Sequence, residues 1–180
     1  EIIEMVDKVI SHYGQIDILV NNAGMASGTA SEDMTLEEWD KIIRLNLTGS
    51  FLVSREVGKH MIARRYGKII NTCSIQGIRC TMGMPGTPYN SSKGGDIMMV
   101  RSLAAEWAQY GITVNGIGPG YFPTDIDKEY LATDYFKGQL AMHCPMGRIG
   151  RDGELNGVLI YFASDASSYT TGQIMYVDGG

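Results

Sequence analysis

The chain has 180 residues, is 44% hydrophobic and 19% charged, and carries 15 basic against 20 acidic residues for a net charge of −5. That balance excludes global disorder, and no apolar run approaches the roughly 18 residues that a membrane-spanning helix needs. The longest basic cluster is Arg64-Arg65, too small for a nucleic-acid surface, which needs many clustered cations.

Ile2, Ile3, Val6, Val9, Ile10 and Tyr13 recur at helical spacing before Gly14, so residues 2–13 are expected to be helical. The apolar run from Ile16 to Val20 reads as a strand, ended by Asn21-Asn22-Ala23-Gly24. Thr35-Leu36-Glu37-Glu38 has the pattern of a capping box and opens a helix expected to reach about Arg64. Its bulky residues Trp39, Ile43, Leu47, Phe51 and Val57 fall mostly on one side. A strand over Ile69 to Cys73, a Gly- and Pro-rich loop over 77–88 and a helix from Tyr89 to Tyr110 follow, closed by Gly111. Ile112-Thr113-Val114 is the next strand, running into the glycine-rich Gly116 to Gly120. Residues 121–146 read as a segment that covers a site. A helix near 153–163 and a strand from Gln173 to Val177 end the pattern before Asp178-Gly179-Gly180.

Strands alternating with helices imply parallel βαβ units, and short strands without polar faces imply helices on both sides of the sheet. With no linker or repeat, residues 1–180 read as a single α/β domain. Cys73, Cys80 and Cys144 are odd in number and lack CxxC spacing, which argues against a disulfide framework or zinc site and for a reducing cytoplasm. His12, His60 and His143 are scattered, so no metal site is expected. Cys73 reads as a buried strand residue, and His143 and Cys144 as surface or packing residues.

Tyr89 and Lys93 stand four apart on a helix, which puts phenol and ammonium on one face. A free phenol is a poor base at neutral pH, and an adjacent positive charge favours its ionised form. A tyrosine so placed can pass a proton to or from an alcohol oxygen. The same spacing also fits a packed Tyr beside a solvated Lys. Ser74, however, follows a strand at the edge where open α/β sheets bind ligands, and the Asn21–Gly24 and Pro119-Gly120 turns end strands at that same edge.

In this order the motifs resemble the short-chain dehydrogenase/reductase family. They are Asn21-Asn22-Ala23-Gly24, Asn46-Leu47-Thr48-Gly49, Gly67 to Asn71 leading to Ser74, Tyr89 to Lys93, Val114-Asn115 leading to Pro119-Gly120, and Thr171 to Gly180. The resemblance implies a Rossmann-type, doubly wound parallel sheet with helices on both faces, here the second half of that sheet. It implies Tyr89 as general acid/base, Lys93 lowering its pKa and holding the nicotinamide ribose, and Ser74 bonded to the substrate oxygen. Asn46 would hold a water of a proton relay, although its helical phase leaves open whether it faces in or out. Asn22, Ala23 and Gly24 would line the adenosine side of NAD or NADP, and Pro119, Gly120, Phe122 and Thr124 would position the carboxamide and pyrophosphate. The implied substrate is a small alcohol or ketone, with no nucleic acid and no membrane as partner. The two long helices imply a homodimer or homotetramer.

Stretches around Ser74, Ala104 and Tyr121 look most like the family's sugar-acid branch. The alternatives are a 3-oxoacyl-carrier-protein reductase or another polyol dehydrogenase, and, from another class, a non-catalytic dinucleotide sensor or inactive remnant. The chain departs from the family pattern in lacking a GxGxxG turn, and in a slightly long loop from Ser74 to Tyr89 that contains Met82-Gly83-Met84-Pro85. It is therefore expected to be a piece of a longer dehydrogenase that by itself neither binds dinucleotide tightly nor turns over.

Overall fold

The computed structural model describes residues 1–81, 83–123, 131 and 133–180. Helix α1 (Ile2–Tyr13) ends at Gly14, whose φ of 83° suits a residue without a Cβ. Strand β1 (Ile18–Asn21) follows. Helix α2 (Leu36–Ile43), a π-helical segment (Arg44–Gly49) and helix α3 (Ser50–Arg64) then run on without interruption. Strand β2 (Gly67–Thr72), helix α4 (Thr87–Trp107) and strand β3 (Ile112–Pro119) make the centre. Helices α5 (Asp134–His143) and α6 (Asn156–Ala163) precede strand β4 (Ile174–Val177).

The four strands form one parallel sheet in the order β1-β2-β3-β4. Ile18 pairs with Lys68, Ile69 with Val114, and Ile117 with Met175. Successive side chains of a strand point to opposite faces, and Ile69 and Ile70 accordingly enter different cores. Ile69 joins Val6, Val57, Met61, Val100 and Leu103 from α1, α3 and α4. Ile70 joins Ile117, Val158 and Phe162 beneath α6. The sheet is thus covered on both faces, as a Rossmann-like α/β fold requires. Among the described residues no helix is long and apolar enough to cross a membrane.

Three sequence expectations change in detail. The helix predicted from 36 to 64 contains a π segment, which shifts its phase. The inward positions become Ile42, Asn46, Ser54, Val57 and Met61, while Phe51 is exposed. The capping box is half formed: Thr35 Oγ1 accepts from the Glu38 N–H at 3.2 Å. The Glu38 carboxylate instead accepts from the Ser27 hydroxyl and, at 2.8 Å, from Thr29 Oγ1, and these bonds hold its carboxyl below the usual range. Strand β3 runs five residues past Val114. Its glycines allow this, because a Cβ on Gly116 would lie 2.5 Å from Ile174 and one on Gly118 would lie 2.4 Å from Tyr176. Bare backbone there lets the large side chains of β4 lie over β3. The covering segment contains α5, and Thr124 and Met82 lie outside the described residues.

Candidate active site

The carboxyl ends of β1, β2 and β3 and the first turn of α4 border a cavity of about 410 Å³. Ser74 follows β2 in an extended conformation and caps the short 3₁₀ turn Ile75–Gly77, its Oγ accepting from the Gln76 N–H at 3.1 Å. The hydroxyl proton of Ser74 is left to donate elsewhere. Gly77 presses this turn against α4: a Cβ there would lie 2.8 Å from the Lys93 carbonyl oxygen. The close contact sets the spacing between Ser74 and the Tyr89–Lys93 face.

Helix α4 starts at Thr87 with Pro88 in its first turn, where a missing N–H costs nothing. This is two residues earlier than the motif predicts, and it places Tyr89 in the first turn. The Lys93 Nζ lies 5.8 Å from the Tyr89 ring centroid. It donates to the Thr72 carbonyl at 2.7 Å and to Asp96 Oδ2 at 3.3 Å. Lys93 and Asp96 are both buried, and burial pushes the Asp96 carboxyl up to about 6 against the pull of the Lys93 ammonium.

Asn46 sits in the π segment with 0% exposure, which answers the question its helical phase left open. Its Oδ1 accepts from the Met25 N–H and its Nδ2 donates to the Met25 carbonyl, both at 2.9 Å. Nδ2 also donates to Ser92 Oγ at 3.0 Å, and Ser92 in turn donates to the Tyr89 carbonyl at 2.7 Å. A polar chain therefore connects the 24–26 loop to the first turn of α4. Ser92 went unread in the sequence, and its place between Tyr89 and Lys93 was the available signal.

Asn22, Gly24, Ser74, Tyr89, Lys93, Pro119, Gly120 and Phe122 all line the cavity. Ala23 is exposed and is not among the lining residues, and Asn46 lies behind them. Asn22 Oδ1 accepts from Thr72 Oγ1 at 2.9 Å, whereas Asn21 ties β1 to Ser54 and Asn71. Gly120 must be glycine for a structural reason, since a Cβ would lie 2.6 Å from Asp178 Cα. Gln76 and Tyr121 also line the cavity: Gln76 Nε2 donates to Thr81 Oγ1 at 2.7 Å, and Thr81 Oγ1 shares a hydrogen bond with the Tyr121 hydroxyl at 2.9 Å. The Tyr121 ring packs edge-on against Phe136 of α5. Gln76 and Tyr121 fall in the stretches that resemble the sugar-acid branch, whereas Thr81 carried no sequence signal, because its neighbourhood depends on the fold of the loop.

The cysteines are all free, with Cys73 and Cys144 buried. Burial pushes the Cys73 thiol up to about 12. The Cys144 thiol donates to the Arg148 and Asp178 carbonyls at 3.5 Å, and His143 is exposed. Among the described residues no three His, Cys, Asp or Glu side chains gather in a metal-binding group.

The strand-end serine and the helical Tyr–Lys pair thus meet at one crevice of a parallel α/β sheet, the arrangement that the family resemblance implies for an NAD(P)-dependent oxidoreductase acting on CH–OH groups. Residues 1–180 match the family described as enoyl-(acyl carrier protein) reductase. The chain is 36% identical over 180 residues to gluconate 5-dehydrogenase of Gluconobacter oxydans, covering 99% of this chain and 69% of that one. It is 39% identical over 182 residues to 5-keto-D-gluconate 5-reductase of Escherichia coli, covering 100% of this chain and 70% of that one. The crystal structure of a gluconate 5-dehydrogenase from Burkholderia cenocepacia, in complex with NADP and tartrate, superposes with a TM-score of 0.95 at 39% identity, over 99% of this chain and 69% of that one. The chain belongs to the short-chain dehydrogenase/reductase family.

Proposed function

We propose that this protein moves hydride between NAD or NADP and a secondary alcohol or ketone of a sugar acid, gluconate and 5-ketogluconate being the favoured pair. The observation that carries this reading is the convergence of Ser74, Tyr89 and Lys93 on one cavity that is also lined by Gln76 and Tyr121, which Thr81 links by hydrogen bonds. The side chains of Gln76 and Tyr121 offer a substrate with several hydroxyls further hydrogen-bonding groups beside Ser74.

The residues fit a dinucleotide on the nicotinamide side. Gly24 lies against Asn46 and Lys93, its Cβ position 3.5 Å from Asn46 Oδ1 and 3.9 Å from Lys93 Nζ, and it lines the cavity with Lys93. Lys93 would hold the nicotinamide ribose, with Pro119, Gly120 and Phe122 along the carboxamide and pyrophosphate and Asn22, Ala23 and Gly24 on the adenosine side. When bound, the nicotinamide supplies or accepts the hydride. Tyr89 gives its phenolic proton to the carbonyl oxygen during reduction and takes the hydroxyl proton back during oxidation. Ser74 donates its hydroxyl hydrogen bond to that same oxygen. The Lys93 ammonium offsets the charge on the ring once its proton has left. Asn46, with its side-chain amide engaged by Met25 and Ser92, acts by holding the 24–26 loop.

The same proposal takes residues 1–180 as one dinucleotide-binding domain, with 121–146 covering the substrate, in a cytoplasmic homodimer or homotetramer. Leu45, Phe51 and Met98, exposed on the π segment, α3 and α4, supply apolar surface for subunit pairing.

The test is cofactor oxidation by the complete protein with 5-ketogluconate, a 3-oxoacyl thioester and a polyol-derived ketose, each with NADH and NADPH. Preference for 5-ketogluconate in kcat/KM supports the reading. Preference for the thioester or the ketose, or no turnover of any substrate, refutes it.

A further inference from the structure

Asp96 is buried to 2% exposure on the face of α4 that also carries Ile97, Val100 and Leu103 into the core. One carboxylate oxygen, Oδ2, accepts from the Lys93 ammonium at 3.3 Å. The other, Oδ1, is buried with no hydrogen-bond partner among the described residues. A carboxylate half satisfied in an apolar setting is costly, and a well-packed apolar residue at such a place is usually at least as stable. Stability of the helix therefore does not account for an acid here. Its partner does: Lys93 is buried to 5% exposure, and its other recorded bond is to the Thr72 carbonyl, which is neutral.

We propose that Asp96 is a positioning residue that anchors the Lys93 ammonium in the catalytic cavity. The inference rests on the functional reading above only in treating Lys93 as part of the reacting site. The carboxylate fixes one ammonium hydrogen as the Thr72 carbonyl fixes another, which leaves the third for the cavity. Protonation of Asp96 removes the counter-charge and frees the long lysine chain to seek other partners. Desolvation brings this event into reach, since the carboxyl titrates at about 6 rather than at the ordinary 3.8.

The titratable groups around Asp96 come from three places in the fold. Lys93 precedes it by three residues on α4. Cys73, just past β2, is raised by burial and by the Asp96 charge and stays a neutral thiol well beyond neutral pH. The Tyr176 phenol of β4 is likewise raised, by burial and then by Cys73. Neither the thiol nor the phenol changes charge in the acid range, so Asp96 and Lys93 act as an isolated pair there.

The test uses the complete protein labelled with ¹³Cγ-aspartate and ¹⁵Nζ-lysine, without ligand, together with the pH profile of kcat/KM. The resonance missing from Asp96→Asn identifies Asp96. It is expected to titrate near pH 6, the Lys93 signal is expected to move with it, and kcat/KM is expected to fall below that midpoint toward the level of Asp96→Asn. In Asp96→Asn this acid limb is expected to vanish and the plateau to drop, while Asp96→Glu restores the limb. An acid limb unchanged in Asp96→Asn overturns the proposal. So does an Asp96 signal titrating near pH 4, or a Lys93 signal that ignores it. If Asp96→Asn does not fold, the wild type decides by whether the three midpoints coincide. Failure of the functional reading looks different: Tyr89→Phe would stay fully active while the two resonances still titrate together.

Discussion

The side-chain amide of Asn46 holds the peptide of Met25 at both ends, accepting from its N–H and donating to its carbonyl at 2.9 Å each. An amide can do this only because donor and acceptor lie side by side on one planar group. Through Ser92 the same amide reaches the first turn of α4. Replacing Asn46 with Leu leaves the Met25 peptide unpaired and Ser92 without its donor. We expect a loss of about 1–3 kcal/mol of stability and a raised KM for the dinucleotide. Denaturant unfolding and cofactor titration of the complete protein check both, and a variant as stable as wild type would remove the amide from this role.

Tyr89→Phe deletes the one transferable proton of the ring and preserves its packing. Activity is expected to fall by about 10²–10⁴-fold with the melting temperature within a few degrees. A kcat within tenfold of wild type, in a folded variant, would assign proton transfer to another group.

Gly77→Ala tests the contact between the Ser74 turn and α4. The added methyl would meet Ile97 Cδ1 at 2.6 Å and the Lys93 carbonyl at 2.8 Å. Relief requires the turn to move away from α4, at a cost of about 1–3 kcal/mol typical of overpacking. Because the turn carries Ser74, kcat should fall further than stability alone explains. Steady-state kinetics beside calorimetric melting separates the two effects.

Tyr121→Phe and Gln76→Leu cut the hydrogen-bond chain on the part of the cavity wall that Gln76 and Tyr121 form, without altering Ser74, Tyr89 or Lys93. Both should raise KM for a polyhydroxy substrate and lower its advantage over a ketone lacking the extra hydroxyls. Competition between two such ketones gives the ratio directly, and an unchanged ratio would show that this wall does not read the substrate.

Asp96 also gives stability a pH dependence with a definite sign. Its folded carboxyl titrates at about 6 against 3.8 in the ordinary case, so between these values the folded state binds more protons than the unfolded one. Stability therefore falls as pH rises through this window and levels off above it, by an amount on the order of 3 kcal/mol. Chemical denaturation across that range, in wild type and Asp96→Asn, should show the slope in the first and not in the second.

Hydrophobic spacing in the sequence was enough to determine the alternation of strands and helices, because amphipathic periodicity is a local property that survives without knowledge of neighbours. It located α1, β1, β2 and α4 to within two or three residues and put Ser74, Tyr89 and Lys93 where three strand ends and a helix start meet. Other features arise between segments distant in the chain, and no local pattern carries them. The π segment that turns Asn46 inward, the glycines that extend β3 beneath Tyr176, and the diversion of Glu38 to Ser27 and Thr29 all depend on what lies opposite. Asp96 is the clearest case. In sequence it is an acid on a long helix, at home on a solvated face, and only the packing of α4 against the sheet buries it beside Lys93 and gives its charge a consequence.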